Sequence, residues 1–99
     1  MKVLLIRSWT HPLEPLRAAL RATGLDPRFA RVDIEPGLNA VLSRGGFVVV
    51  IHDPTTPGLT RPQIEACMRV HRIDAPIVEL GDIADLAERI DVALASRRS

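Results

Sequence analysis

The 99-residue sequence has one cysteine, few aromatic residues and no long apolar run. Cys67 cannot form an internal disulfide, which is typical of a protein from a reducing compartment, so we expect a cytoplasmic location. Apolar runs reach only five or six residues, and Met1 and Lys2 lead directly into one of them without a signal-peptide pattern. The formal net charge is only +1. These absences argue against a membrane partner, and against a nucleic-acid partner, which needs a basic surface with interleaved aromatic residues.

Four short apolar segments predict four β-strands. Residues 3–6 and 47–51 are uninterrupted apolar runs, typical of strands that are buried on both faces of a parallel sheet. Residues 28–34 alternate, with Ala30, Val32 and Ile34 apolar and Arg31 and Asp33 charged, as expected for a half-exposed edge strand. Residues 76–80 form the fourth strand. The two uninterrupted runs are therefore expected at the centre of the sheet.

Helical patterns fill the intervals between the strands. The first helix follows Pro12 and ends before Gly24, and the second covers residues 36–44. The third begins at a capping box in which Thr60 is the N-cap and Gln63 is N3. Gly81 and Asp82 precede the last helix. We expect one domain over residues 1–95, with residues 96–99 as a disordered tail.

The alternation of strands and helices with short loops predicts a parallel sheet that is built from right-handed crossovers. Placing the two apolar strands side by side gives the strand order 2-1-3-4, a flavodoxin-like open α/β sheet with helices on both faces. The first and last helices should cover one face, and the second and third helices the other. The switch point, where the direction of winding reverses, lies between strands one and three, and ligands bind there in such folds.

The segment Asp53-Pro54-Thr55-Thr56-Pro57-Gly58, after a central apolar strand, resembles the Asp-x-x-x-Pro-Gly signature of response-regulator receiver domains. The similarity extends to residues 3–6, which resemble a receiver's first strand, and to residues 20–27, which resemble the end of its first helix. Residues 75–78 resemble the entry to its fourth strand, and residues 85–94 its last helix. The resemblance covers almost the whole chain, although the family's fourth helix and fifth strand are missing.

The resemblance implies a domain of two-component signalling and phosphorelay pathways, in which Asp53 matches the phosphoacceptor. Phosphorylation in this family needs Mg²⁺, because the carboxylate and the incoming phosphoryl group are both anionic. The family supplies an acidic pair after strand one, where this chain has Arg7 and Ser8. It supplies a serine or threonine after strand four, where Gly81 stands, followed by Asp82. It also supplies a lysine after strand five, and this chain has no lysine other than Lys2.

These departures favour a non-catalytic pseudo-receiver that binds a protein partner in a signalling pathway, independently of phosphorylation and without a cofactor or metal. Two alternatives stay open. One is an active phosphoacceptor in which Asp53 is joined by Asp82 or Glu79 as substitute metal ligands. The other is a small anion- or nucleotide-binding domain that uses Ser8 and Thr10 before a helix N-terminus.

Other residues allow both a functional and a structural interpretation. His11, His52 and Asp53 could form a transition-metal site, although they lack helical or hairpin spacing. Trp9, a large aromatic residue in the loop after strand one, either contacts a partner or packs over the sheet edge. Cys67 lies at helical spacing from Ile64 and is expected in the core.

Two structural predictions follow from the missing features. The guanidinium of Arg7 is expected near Asp53 across the neighbouring strands one and three, as a counter-charge in place of the metal. Without a fifth strand, strand four should be a sheet edge, and exposed edges favour pairing. We therefore expect a weak homodimer or a partner contact through strand four.

Overall fold

The structure is a computed structural model that describes the backbone of residues 1–98 and the side chains of residues 1–96. Strands and helices alternate along the whole described chain. The strands are β1 (Lys2–Ile6), β2 (Arg28–Val32), β3 (Val49–His52) and β4 (Ile77–Glu79). The helices are α1 (Glu14–Arg21), α2 (Glu35–Leu42), α3 (Arg61–Val70) and α4 (Leu86–Arg98), and a 3₁₀ turn, Ile83–Asp85, precedes α4.

The four strands form one sheet in the order β2-β1-β3-β4, with every neighbouring pair parallel. In the central pair, Val3 is aligned with Val49 and Ile6 with His52. The predicted strand order and the flavodoxin-like open α/β architecture are confirmed. The carboxyl ends of β1 and β3 therefore meet at the switch point.

Two apolar clusters cover the two faces of the sheet, because successive side chains of each central strand point in opposite directions. Leu4, Ile6 and Val50 face one cluster, to which α2 and α3 contribute. Leu5 and Ile51 face the other, to which α1 and α4 contribute. All five side chains are fully buried. The predicted distribution of the helices over the two faces is confirmed.

Prolines near the helix starts fit the observed boundaries. Helix α1 begins at Glu14, two residues after Pro12, and Pro15 lies in its first turn, where no backbone N–H is needed. The third helix begins as predicted: the Thr60 backbone N–H donates to Gln63 Oε1 at 2.8 Å. Helix α2 ends at Leu42 rather than Arg44.

The second strand is shorter than its alternating pattern predicts. It ends at Val32, and Ile34 is the N-cap residue of α2, with 54% of its surface exposed. The prediction that Ile34 continues the buried face of this strand is therefore wrong. Because the chain leaves the sheet at Asp33, the Ile34 side chain lies at the surface, at the start of α2.

The end of the chain is helical further than the sequence pattern indicates. Helix α4 continues to Arg98, within the stretch 96–99 that was expected to be a disordered tail, while Ser99 lies outside the described residues. Across residues 1–98, no helix combines the length and the apolar character that crossing a membrane requires.

Candidate functional site

Asp53 is the first residue after β3 and lies at the switch point. Its backbone N–H donates to the carbonyl of Ile6, the last residue of β1, at 2.9 Å. Thr56 completes the turn, since its N–H donates to the carbonyl of Asp53 at 3.0 Å. Asp53 is only 6% exposed. The fold thus fixes the carboxylate at the sheet edge where open α/β domains bind ligands.

Donors from the same chain occupy both carboxylate oxygens of Asp53. Arg7 Nε donates to Oδ2 at 3.2 Å, in an ion pair whose side chains are 17% and 9% exposed. The Thr55 backbone N–H and hydroxyl both donate to Oδ1, at 2.9 and 2.6 Å. The predicted contact between Arg7 and Asp53 is confirmed. The part played by Thr55 was not predicted, although an aspartate two residues before a threonine in a turn is a known signal for such bonds.

These contacts favour the ionised form of Asp53. Burial alone would raise the pKa of the carboxyl group, because it removes the charge from water. The hydrogen bonds from Thr55, together with the charge and hydrogen bond of Arg7, outweigh burial and lower the pKa below its usual range. The site therefore holds a carboxylate whose charge is already compensated within the chain.

Gly58, the last residue of the segment that follows β3, has a packing explanation. A Cβ atom at Gly58 would lie 2.4 Å from the backbone oxygen of Asp33, which follows β2. Only glycine allows the loop after β3 to approach the loop after β2 this closely. Gly58 thus fits a structural role that does not depend on phosphorylation.

The loop after β1 brings Ser8, Trp9 and Thr10 to the same sheet edge. The hydroxyls of Ser8 and Thr10 are hydrogen-bonded to each other at 3.0 Å. Trp9 is 64% exposed, and the guanidinium of Arg31 lies 5.3 Å from its ring centre. Trp9 therefore packs against Arg31 of the edge strand with part of its surface and leaves most of its surface exposed.

Asp82 does not reach the Asp53 carboxylate through any contact in the described structure. Its Oδ1 accepts a hydrogen bond from the Ala84 N–H at 3.0 Å and so caps the 3₁₀ turn. Residues 1–98 contain no group of three or more His, Cys, Asp or Glu side chains arranged to hold a metal ion. The alternative metal site of His11, His52 and Asp53 is therefore not formed.

A second ionic group, missed by the sequence analysis, lies between β3 and β4. His52 Nδ1 is 3.1 Å from Glu79 Oε2, and Arg61 Nη1 is 2.8 Å from Glu79 Oε1. Burial would raise the pKa of Glu79, but the hydrogen bonds and charges of His52 and Arg61 lower it. The predicted neighbourhood of strands three and four was the available signal for this contact, and the observed register aligns His52 with Glu79. Because Glu79 is engaged here, its carboxylate is directed to His52 and Arg61 rather than to Asp53.

Cys67 lies in the core, as predicted. It is 6% exposed within the cluster that α2 and α3 share. Burial and the nearby Glu35 carboxylate raise the pKa of its thiol, so the reactive thiolate is disfavoured.

Comparisons with protein-family models, with curated proteins and with solved structures found no match to this chain.

Proposed function

We propose that this domain is a non-catalytic, receiver-like signalling module that binds a protein partner and does not depend on phosphorylation of Asp53. The observation that carries the proposal is the occupancy of the carboxylate: Arg7 donates to one oxygen, and Thr55 donates twice to the other. An attacking carboxylate oxygen must be free to approach phosphorus while a cation neutralises the incoming charge. Here the cation is a fixed guanidinium with no open coordination position.

The phosphoacceptor alternative is less well supported. It needs Asp82 or Glu79 as substitute magnesium ligands, and each already has another role. Asp82 caps the 3₁₀ turn, and Glu79 pairs with His52 and Arg61. Recruiting either one would break these interactions in addition to the pair of Arg7 and Asp53.

The anion- or nucleotide-binding alternative depends on the hydroxyls of Ser8 and Thr10. These groups bond to each other, and the Thr10 N–H points to Ser8 Oγ at 3.4 Å. An anion would have to replace this local arrangement. If the same sheet edge binds a partner, the exposed Trp9 side chain is therefore a better contact residue than Ser8 or Thr10.

Treatment with acetyl phosphate and Mg²⁺, followed by intact-protein mass spectrometry, tests the proposal. We expect no added phosphoryl mass on the unmodified protein, since Asp53 is already paired. A hydroxylamine-labile phosphate on Asp53 that is absent from Asp53→Asn would contradict it. An established receiver domain, treated in parallel, controls for the phosphodonor.

A further inference from the structure

A groove of about 350 Å³ runs beside Trp9, between the end of β2 and helix α2. Its walls are mainly apolar and include Trp9, Val32, Ile34 and Val41, while Arg31 and Asp33 contribute charges. Trp9 and Ile34 are two of the most exposed large apolar residues in the described chain, at 64% and 54%. They lie on one groove, which we call the Trp9–Arg31 groove, and a contiguous apolar surface of this kind is typical of an interaction site.

Arg31 places in the groove a guanidinium whose hydrogen-bonding groups are only partly satisfied. One guanidinium nitrogen, Nη2, donates to the His11 carbonyl at 2.6 Å, and the group lies over the Trp9 ring. Its Nε is buried and has no hydrogen-bond partner. Among the described residues, no carboxylate lies within ion-pair distance of Arg31, whereas Arg7 has Asp53. Burial and the charge of Arg7 lower the pKa of Arg31, with Asp33 opposing them. The cation thus has no carboxylate at ion-pair distance, and the Asp33 charge acts on it only from farther away.

We propose that the Trp9–Arg31 groove binds an acidic peptide segment of a protein partner, with a carboxylate beside Arg31 and apolar side chains between Trp9 and Ile34. This inference rests on the proposed function, because it identifies the surface and the partner class for a binding module. A guanidinium that is stacked on an aromatic ring and partly removed from water binds a planar carboxylate well.

The walls of the groove favour a peptide over a nucleic acid. A nucleic-acid backbone needs several cations along its path, and the groove supplies one, with the Asp33 carboxylate among its lining residues. Val32, Ile34 and Val41 match aliphatic or aromatic side chains instead. The segment that fits has an aspartate or glutamate next to apolar residues.

Selection from a random peptide library displayed on phage, using the intact domain, tests this inference. We expect the enriched peptides to carry an acidic residue beside apolar ones. Trp9 is the only tryptophan in the chain, so the synthetic form of an enriched peptide should change its fluorescence on binding. Binding should weaken at least tenfold in Arg31→Gln, and at least severalfold in Ile34→Ser, where serine is a favourable N-cap residue for α2.

Arg28→Gln is the matched control, since Arg28 lies on the same strand at the opposite end and is exposed. It should leave peptide binding unchanged. Enrichment of peptides without acidic residues would overturn the inference, as would equal binding by Arg31→Gln, Ile34→Ser and the unmodified protein. Fluorescence changes with inorganic phosphate or single-stranded oligonucleotides, but not with the enriched peptides, would also overturn it.

The two proposals fail in different ways. Phosphorylation of Asp53 would contradict the proposed function, while acidic-peptide binding that depends on Arg31 would still stand. Conversely, peptide binding that is unchanged in Arg31→Gln and Ile34→Ser, without phosphorylation of Asp53, would overturn the groove inference. The proposed function would then stand, with the binding surface elsewhere on the domain.

Discussion

At the scale of single residues, Asp53 and its three donor groups are the centre of the site. A phosphoacceptor needs a carboxylate that is ionised and accessible. Asp53 fulfils the first condition, because its pKa is lowered, but Arg7 and Thr55 remove the second. The same contacts that keep the group charged therefore make it a structural link between β1 and the loop after β3.

Asp53→Asn should lower the free energy of unfolding by roughly 2 kcal/mol at neutral pH, within the range of hydrogen bonds to charged groups. The asparagine oxygen still accepts from Thr55, but the charge that pairs with Arg7 is lost. Denaturant unfolding measures the difference. As a control, Asp26→Asn should change stability by less than about 0.5 kcal/mol, because the Asp26 side chain is exposed.

The effect of Asp53→Asn should disappear in acid. The folded-state pKa of Asp53 is lowered, so its stabilising contribution is complete above the ordinary value of 3.8 and is lost as the pH falls through the lowered pKa. Below that point the side chain at position 53 is neutral in both proteins, and the two should approach equal stability. A stability difference that stays constant down to the lowest accessible pH would show that the charge of Asp53 is not involved.

Arg7→Asp should create weak magnesium binding. The substitution places a second carboxylate next to Asp53 and removes the competing cation, and hard oxygen ligands are those that Mg²⁺ prefers. Millimolar Mg²⁺ should then raise the melting temperature of Arg7→Asp but not that of the unmodified protein. Phosphorylation of Arg7→Asp is not expected, since the sequence has no lysine other than Lys2 and has Gly81, not a serine or threonine, after the fourth strand. Mg²⁺ stabilisation of the unmodified protein would contradict this account.

At the scale of secondary-structure elements, patterns of apolar residues predicted the strands and helices better than patterns of polar residues predicted the side-chain contacts of the site. The runs at residues 3–6 and 47–51 predicted the two central strands, because burial on both faces requires uninterrupted apolar sequence. The bounds of the second run were wrong, since β3 covers only Val49–His52 and Val48 is 40% exposed. The stacking of Arg31 on Trp9 could not be predicted, since it depends on side-chain rotamers. Ile34 was misplaced because an alternating pattern does not reveal where a strand ends.

Gly58→Ala should destabilise the domain by about 1 to 3 kcal/mol, the usual cost of inserting a methyl group into a packed site. The added Cβ would lie 2.4 Å from the Asp33 backbone oxygen, so one of the two loops must move. Gly37→Ala is the matched control: its Cβ would make only ordinary van der Waals contacts, with Val32 and Ile34, and a helix interior such as that of α2 favours alanine by about 1 kcal/mol. Equal stability of both variants in thermal unfolding would refute the packing explanation.

At the scale of the whole molecule, β4 forms one of the two edges of the sheet. Strand β4 has only three residues, and Arg89 donates to the backbone carbonyl of Glu79, which partly protects this edge. The predicted position of the fourth strand at the sheet edge is confirmed. Self-association through it remains a prediction.

We expect the protein to form a weak dimer through β4 at high concentration, and Arg89→Gln to strengthen it by freeing the Glu79 carbonyl. Sedimentation equilibrium measures both. Arg17→Gln, which also removes a half-buried arginine from a helical ion pair, should leave association unchanged. Glu79→Lys is a less specific probe, since it breaks the interactions with His52 and Arg61. Strictly monomeric behaviour of all variants would exclude this contact.

The central claim is that the Asp53 carboxylate is already occupied by donors of its own chain. Its most direct test is the ¹³C carboxyl chemical shift of Asp53, recorded while Mg²⁺ and beryllofluoride are added. Beryllofluoride with Mg²⁺ mimics a phosphoryl group on an accessible aspartate. Because Arg7 and Thr55 occupy both oxygens, we predict that the Asp53 signal does not move in the unmodified protein. A saturable shift of that signal, with new peaks at the loops after β1 and β3, would contradict it.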